Sequence, residues 1–338
     1  MPDILRLQTL KNHDASRRMR DGLCLNRFSI HERVFQSPNQ SSALGGRELY
    51  FDPDLTLAFR DALPWAGELF RLITELGSEI FYVALVLVGY WAYKKRASVI
   101  LLVALLISLV SNYWLKYIIR NPRPDPSYWY EGVEASNYST PSGHAQNSAT
   151  IFGWLGVKSR TTVLFVVSIV IALLIGTSRV YLGVHYLGDI LIGWAIGFII
   201  VGILYYAEGD LDRFLVKYPA EVKYGALFVL SLGALLISSF LPQPPGDNFG
   251  ALAGLTMGIA VAFPLEQKYV GFSVDAPNGQ RWRLVLRVVI GLALALVVMF
   301  GLSPILPTDI VWLRALRYGL VAIVGALVWP AMFTKLGL

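Results

Sequence analysis

Two histidines and a carboxylate stand at spacings that suit phosphoryl transfer. His185 and Asp189 are four residues apart, so on a helix they lie on one face within reach of each other. A carboxylate on one ring nitrogen fixes the imidazole tautomer and leaves the other nitrogen free to attack phosphorus. His144 could protonate the departing alkoxide and later activate water. The pattern predicts a nucleophile at His185, with Asp189 as its partner and His144 as general acid and base.

Three cations and a helix start could hold a phosphate group beside these histidines. Lys116, Arg123 and Arg179 supply positive charge, and each arginine can bind phosphate through two hydrogen bonds. Ser142 offers a hydroxyl, and Gly143 lets the backbone approach an oxygen at a helix N-terminus. Because phosphoryl transfer is catalysed mainly by positioning and charge stabilisation, we predict that these five residues bind substrate phosphate.

The same residues form three ordered motifs. Lys116-x₆-Arg123-Pro124, Pro141-Ser142-Gly143-His144 and Ser178-Arg179-x₅-His185-x₃-Asp189 resemble the signature motifs of the type 2 phosphatidic acid phosphatase (PAP2) superfamily, in its membrane lipid phosphate phosphatase branch. The resemblance covers about residues 77–207. It implies a hydrolase of phosphoric esters or diphosphates that uses neither metal nor cofactor, with His185 as nucleophile, Asp189 its partner, His144 the acid and the other motif residues on phosphate.

The composition is that of a membrane protein. Of 338 residues, 55% are hydrophobic and only 15% charged, and the mean hydropathy is +0.54, whereas soluble domains carry about 25% charged residues. A short apolar stretch, 80–93, accompanies a less apolar one, 144–157, whose Gln146, Asn147 and Ser148 predict a helix that faces protein. Seven uncharged stretches have near-spanning length: 97–115, 161–178, 190–207, 224–246, 248–265, 288–308 and 318–334. We predict an all-α polytopic helix bundle of about nine spans, with a PAP2-type core and additional C-terminal transmembrane helices.

The distribution of charges divides the chain into five regions. They are a polar basic tail (1–53), an interfacial amphipathic helix (54–76), a phosphatase core of five spans (77–207), a cytoplasmic connector (208–221) and an accessory four-span region (222–338). Whether the tail starts at a later methionine (Met19 is one option), or a re-entrant element lies near 55–76, stays open.

Basic residues in short loops predict how the bundle is oriented in the membrane. Clusters such as Lys94–Arg96 and Lys158–Arg160 put thirteen basic residues on one side against six on the other, and the richer side is cytoplasmic. The motif residues then lie at the extracytoplasmic face of a multi-pass protein of the cell membrane. The net charge of +6 is read as this topology signal and not as nucleic-acid binding.

The same residues leave other functions open. Single Cys24 excludes an internal disulfide framework and a cysteine metal site. A lipid phosphotransferase using the same site, a vanadate-dependent haloperoxidase and a non-catalytic lipid carrier remain as alternatives. Asn137-Tyr138-Ser139 fits a glycosylation pattern and is treated as chance. The partner is a membrane lipid phosphate substrate; which lipid it is, and the oligomeric state, stay open.

Overall fold

The computed structural model describes residues 50–240, 249–276, 279–307 and 309–338, which are helical and contain no strand. The predicted tail lies outside them up to residue 49. Twelve helices are used below: α1 Asp54–Ala62, α2 Gly67–Glu75, α3 Glu79–Ala92, α4 Lys95–Ile119, α5 Gly143–Lys158, α6 Thr162–Tyr181, α7 Leu187–Val216, α8 Ala220–Ser239, α9 Phe249–Tyr269, α10 Arg281–Gly301, α11 Val311–Ile323 and α12 Trp329–Leu336. The predicted all-α class is confirmed.

Membrane-spanning length is reached by seven helical segments of the described chain. They are α4, α6, α7, α8, α9, α10 and the segment Val311–Leu336, and an eighth arises if α2 and α3, bent by 47°, act as one span. About nine spans were expected. Two short helices make the difference. With 14 residues, α3 reaches spanning length only together with α2, and the 16 residues of α5 rise only about 24 Å, short of the ~30 Å hydrocarbon core. As its polar sequence indicated, α5 is buried against other helices.

Residues 54–76 form two short helices where the sequence predicted one. The break follows from Pro64, since the residue before a proline is disfavoured in helical geometry, and Leu63 indeed leaves it. Both helices pack on α6. The Thr56 hydroxyl donates to the Val180 carbonyl at 2.9 Å, and Arg60 Nε donates to the Tyr181 carbonyl at 2.9 Å. The segment therefore covers the end of α6 that carries Arg179.

Close packing of α5 on α7 places the motif helices against each other. A Cβ atom added at Gly197 would lie 2.5 Å from the Gln146 carbonyl oxygen and 2.6 Å from Ala149 Cβ. One turn earlier, a Cβ at Gly193 would lie 2.8 Å from the Ser142 carbonyl oxygen. Small residues four apart let transmembrane helices approach at backbone distance. The start of α7 is thereby held beside the start of α5.

The C-terminal helices share an interior with the predicted core. Fully buried Glu266 of α9 accepts hydrogen bonds from Lys95 Nζ at 2.7 Å and from the Tyr90 hydroxyl at 3.0 Å. Helix α7 also continues to Val216, through most of the predicted connector. The connector at 208–221 remains a prediction about how the sequence is organised. Side chains from before and after this connector pack against each other.

Candidate active site

The predicted site residues meet at one end of the bundle. Lys116 lies in the last turn of α4, Arg179 in the last turn of α6, and Asp189 in the first turn of α7. The others come from the loop after α4, the start of α5 and the turn before α7: Arg123, Ser142, Gly143, His144 and His185. Residues distant in sequence thus share a single cluster, as the motif spacing predicted.

His185 is held from both ring nitrogens. Its Nε2 lies 3.0 Å from Arg123 Nη1, while its Nδ1 lies 3.3 Å from Asp189 Oδ2 and 3.2 Å from Ser139 Oγ. The tautomer that satisfies both sides carries its proton on Nδ1 and leaves a lone pair on Nε2. Burial, with the positive charges of Arg123, Lys116 and Arg179, holds the pKa of His185 well below its usual value. The ring is therefore neutral at pH 7, as a nucleophile must be.

Asp189 is fully buried and bound by a set of donors beyond His185. The Ser139 hydroxyl and the Tyr186 backbone N–H, the latter at 2.9 Å, donate to Oδ2, and the Thr140 hydroxyl donates to Oδ1. Asn121 Nδ2 in turn donates to Thr140 Oγ1 at 2.8 Å. Hydrogen bonds to the charged form stabilise a buried carboxylate.

Sequence reasoning missed Ser139 and Thr140. Both are buried, and Ser139 is the serine of the glycosylation pattern. Their position directly before the Pro141 motif was the available signal. Because short hydroxyl side chains are common in loops, that position alone did not distinguish them.

Arg123 is anchored by carbonyl oxygens of two loops. Its guanidinium donates to the Ser136 carbonyl at 2.7 Å and the Asn137 carbonyl at 2.9 Å, and Nη1 donates to the Val184 carbonyl at 2.8 Å. Burial lowers the pKa of Arg123 to about 10, an effect that the charge of Asp189 opposes. The guanidinium therefore stays charged at neutral pH and points a fixed N–H at His185.

Two further cations are buried beside it. Lys116 Nζ donates to the Tyr138 carbonyl, and Arg179 Nη1 donates to the Thr74 hydroxyl at 2.8 Å. Arg179 Nε is buried and has no hydrogen-bond partner among the described residues. The cluster thus holds three cations and one fully buried carboxylate, Asp189, while the charge of Glu75 acts on Arg179. Buried charges are normally compensated, so the arrangement calls for a bound anion.

The start of α5 completes the cluster. Ser142 Oγ accepts from the Ala145 N–H at 3.5 Å as the helix cap, which leaves its own hydroxyl proton available. Gly143 is the first residue of α5. The free backbone N–H groups at a helix start can bind an anion. His144 packs against Gly77 and interacts electrostatically with His185 and Arg179. The two imidazoles therefore belong to one site.

A buried amide network supports α5 from behind and was also missed. Asn112 Nδ2 of α4 donates to Gln146 Oε1 at 3.0 Å and to the Pro141 carbonyl at 3.2 Å. The Ser108 hydroxyl donates to Asn147 Oδ1 at 2.7 Å. These bonds tie α4 to the motif loop, so the amides that the sequence placed on a protein-facing helix serve to position it.

A bundle of membrane-length helices that gathers two histidines and three cations at one end suits the class of membrane phosphatases. Residues 97–213 match the family model of the PAP2 superfamily, and residues 249–338 match that of the PAP2 superfamily phosphatase, transmembrane extension. The chain belongs to the PAP2 superfamily and is a multi-span membrane phosphatase of that type. Among the described residues there is no cluster of three or more His, Cys, Asp or Glu side chains suited to a metal.

Curated relatives are lipid phosphatases by name. The chain is 29% identical to phosphatidylglycerophosphatase B of Bacillus subtilis over 46% of this chain and 81% of that protein. It is 29% identical to sphingosine-1-phosphate phosphatase 1 of Rattus norvegicus over 68% of this chain, and it spans only 58% of that relative. The crystal structure of the first transmembrane PAP2 type phosphatidylglycerolphosphate phosphatase from Bacillus subtilis aligns with a TM-score of 0.42 and 27% identity, over 48% of this chain and 85% of that one.

Proposed function

We propose that the protein hydrolyses the phosphate ester or diphosphate of a membrane lipid through a phosphohistidine on His185. The observation that carries this proposal is the two-sided environment of the imidazole. Nδ1 faces Asp189 and Ser139, and Nε2 lies 3.0 Å from Arg123 Nη1, where a phosphate oxygen would also find a donor. A nitrogen lone pair is thereby aimed at the position where three cations would hold a phosphorus atom.

The first step transfers the phosphoryl group to the enzyme. His185 Nε2 attacks phosphorus, and the P–N bond forms as the P–O bond to the lipid breaks. Burial and the neighbouring cations hold the pKa of His144 well below its usual value, and the negative charge of a bound phosphate group raises it again. His144 protonated in this way gives its proton to the departing oxygen. Asp189 stabilises the positive charge that develops on the His185 ring, while Lys116, Arg123 and Arg179 neutralise the transferring oxygens.

The second step restores the enzyme. Neutral His144 accepts a proton from water, whose oxygen attacks phosphorus on the opposite side from His185. The P–N bond breaks, inorganic phosphate leaves, and His185 returns to its neutral form with His144 protonated. Each histidine ends in its starting state, so no metal or cofactor is required.

The topology supports an extracytoplasmic site. The basic loop clusters Lys94–Arg96 and Lys158–Arg160 lie at the opposite ends of α4 and α5 from Lys116 and His144, and short basic loops stay in the cytoplasm. The relatives' names, phosphatidylglycerophosphatase B and sphingosine-1-phosphate phosphatase 1, support a lipid phosphate as the substrate. Substrate would enter from the membrane face between the helix ends.

The test is capture of the intermediate. Purified protein in detergent is mixed with a ³²P-labelled lipid phosphate and quenched rapidly in alkali, where phosphohistidine survives. We expect label on the wild-type chain, no label on His185→Ala, and accumulated label on His144→Ala when the leaving group is good, since hydrolysis then lacks its base. Label or turnover retained by His185→Ala would refute the assignment of the nucleophile.

A further inference from the structure

A cavity lies at the other end of the bundle from the active site. This rear groove, with a volume of about 870 Å³, is lined by the α3–α4 turn, the α5–α6 turn and Glu208 of α7. Helix α4 rises about 30 Å between Lys95, which lines the groove, and Lys116 of the active site. Since this rise matches the hydrocarbon thickness of a bilayer, the groove and the active-site cluster lie at opposite membrane faces.

The rear groove combines an apolar wall with a basic rim. Its wall includes Leu85, Val88, Ile100 and Leu155, and its rim carries the basic side chains Lys94, Lys95, Arg96, Lys158 and Arg160.

Two of the rim lysines are already compensated by carboxylates. Lys158 pairs with Glu208, and Lys95 pairs with Glu266 at 2.7 Å. Lys94 and Arg160 are exposed and have no carboxylate within ion-pair distance among the described residues. Uncompensated positive charge therefore lies above an apolar wall.

Aromatic side chains set the depth of this rim in the membrane. Tyr93 is 67% exposed and Tyr205 is 50% exposed, as is usual for tyrosines at the level of lipid headgroups. Lys94 Nζ lies 5.1 Å from the centre of the Tyr93 ring, and Lys158 Nζ lies 5.4 Å from that of Tyr205. The basic rim is thus at headgroup level, and the apolar wall continues toward the acyl chains.

We propose that the rear groove binds an anionic phospholipid, with its phosphodiester against Lys94 and Arg160 and its acyl chains along the apolar wall. The positive charge of the rim favours a lipid with a net negative charge, because basic clusters beside membrane helices attract anionic headgroups. The quaternary ammonium of a zwitterionic lipid would instead face cations. The lipid would bridge the rear ends of α4, α5 and α7, whose other ends carry Lys116, His144 and Asp189. This site is separate from the proposed catalysis and does not depend on it.

The experiment compares two doubly substituted full-length proteins. Lys94→Gln/Arg160→Gln removes two charges from the rim, and Lys217→Gln/Lys335→Gln removes two exposed charges outside it. Each protein, delipidated in non-ionic detergent, is titrated with fluorescent phosphatidylglycerol and phosphatidylcholine. We expect saturable binding that prefers phosphatidylglycerol. A basic residue near an anionic headgroup contributes about fivefold to affinity, so the rim variant should bind about 30-fold more weakly and the control within about twofold of wild type.

Three outcomes would overturn the proposal. They are equal affinity of the two variants, equal affinity of wild type for the two lipids, and binding that does not saturate. If phosphatidylglycerol bound in the active site instead, the two variants would have equal affinity for it. That result would therefore also contradict the proposal. Gel filtration and helical circular dichroism of each variant establish folding, and the lipid preference of the wild type tests the proposal without any substitution.

Discussion

Replacing Thr140 by valine isolates the support that Asp189 receives from outside the family motifs. Valine keeps the shape of threonine and removes the hydroxyl that donates to Asp189 Oδ1 and accepts from Asn121. Ser139 and the Tyr186 N–H would still hold Oδ2. The carboxylate would therefore remain in place but lose the bond that stops it from rotating away from His185.

The size of the effect follows from the charge of the acceptor. A hydrogen bond to a charged group contributes about 1.5–3 kcal/mol, which corresponds to about 10- to 150-fold in rate when it is expressed in the transition state. We expect it there, because the His185 ring becomes cationic only as phosphorus bonds to Nε2. The value of kcat should fall by this factor while KM stays within about twofold, since Thr140 contacts none of the three cations.

The values of kcat and KM are measured by phosphate release from a lipid phosphate in detergent micelles. Thr140→Ser is the matched control, because it retains the hydroxyl donor. Thr140→Ser should keep most of the wild-type kcat. Equal loss in Thr140→Ser and Thr140→Val would show that packing, and not the hydroxyl, matters. An unchanged kcat in Thr140→Val would refute the role of this bond, provided that both variants melt near the wild-type temperature.

Three further predictions concern other parts of the site. Burial and neighbouring cations lower the pKa of His185, so ¹⁵N NMR of histidine-labelled protein, assigned with His185→Ala, should show a neutral ring that protonates only below pH ~6.5; protonation at or above pH 7 would contradict this. Gly197→Ala should lower the melting temperature by several degrees through overpacking of about 1–3 kcal/mol, whereas Gly202→Ala, with nothing within 4 Å, should not; equal melting of the two would count against the close α5–α7 contact. His144→Ala should slow alkyl phosphates far more than nitrophenyl phosphate, and equal losses for both would exclude proton donation by His144.

The motif residues could be predicted because chemistry constrains their type and helices constrain their spacing. His185 and Asp189 face each other since four residues make about one turn. Lys116 and Arg179 converge because each lies in the last turn of a helix that ends at the same end of the bundle. Ser139, Thr140 and Thr74 obey no such period. Their role depends on where two loops and α2 fold back, which local sequence does not encode.

The number of membrane-length helices differs from the expected number of spans for a related reason. Apolar content predicted that α5 is a helix, but its burial by neighbours on all sides removes the requirement to match the bilayer thickness. Likewise, amphipathic periodicity ran through 54–76, and only the geometry imposed by Pro64 divides that segment in two. Composition reports which faces are apolar more reliably than where a helix ends.

The contact between α2 and Arg179 has a practical consequence for anyone trimming this protein. The family match begins at residue 97, yet the hydroxyl that holds Arg179 belongs to Thr74, and the backbone against which His144 rests belongs to Gly77. A fragment cut to the recognisable domain would carry all eight predicted site residues and still leave one arginine and one histidine without their supports. The smallest working enzyme therefore begins well before the boundary that similarity searching draws.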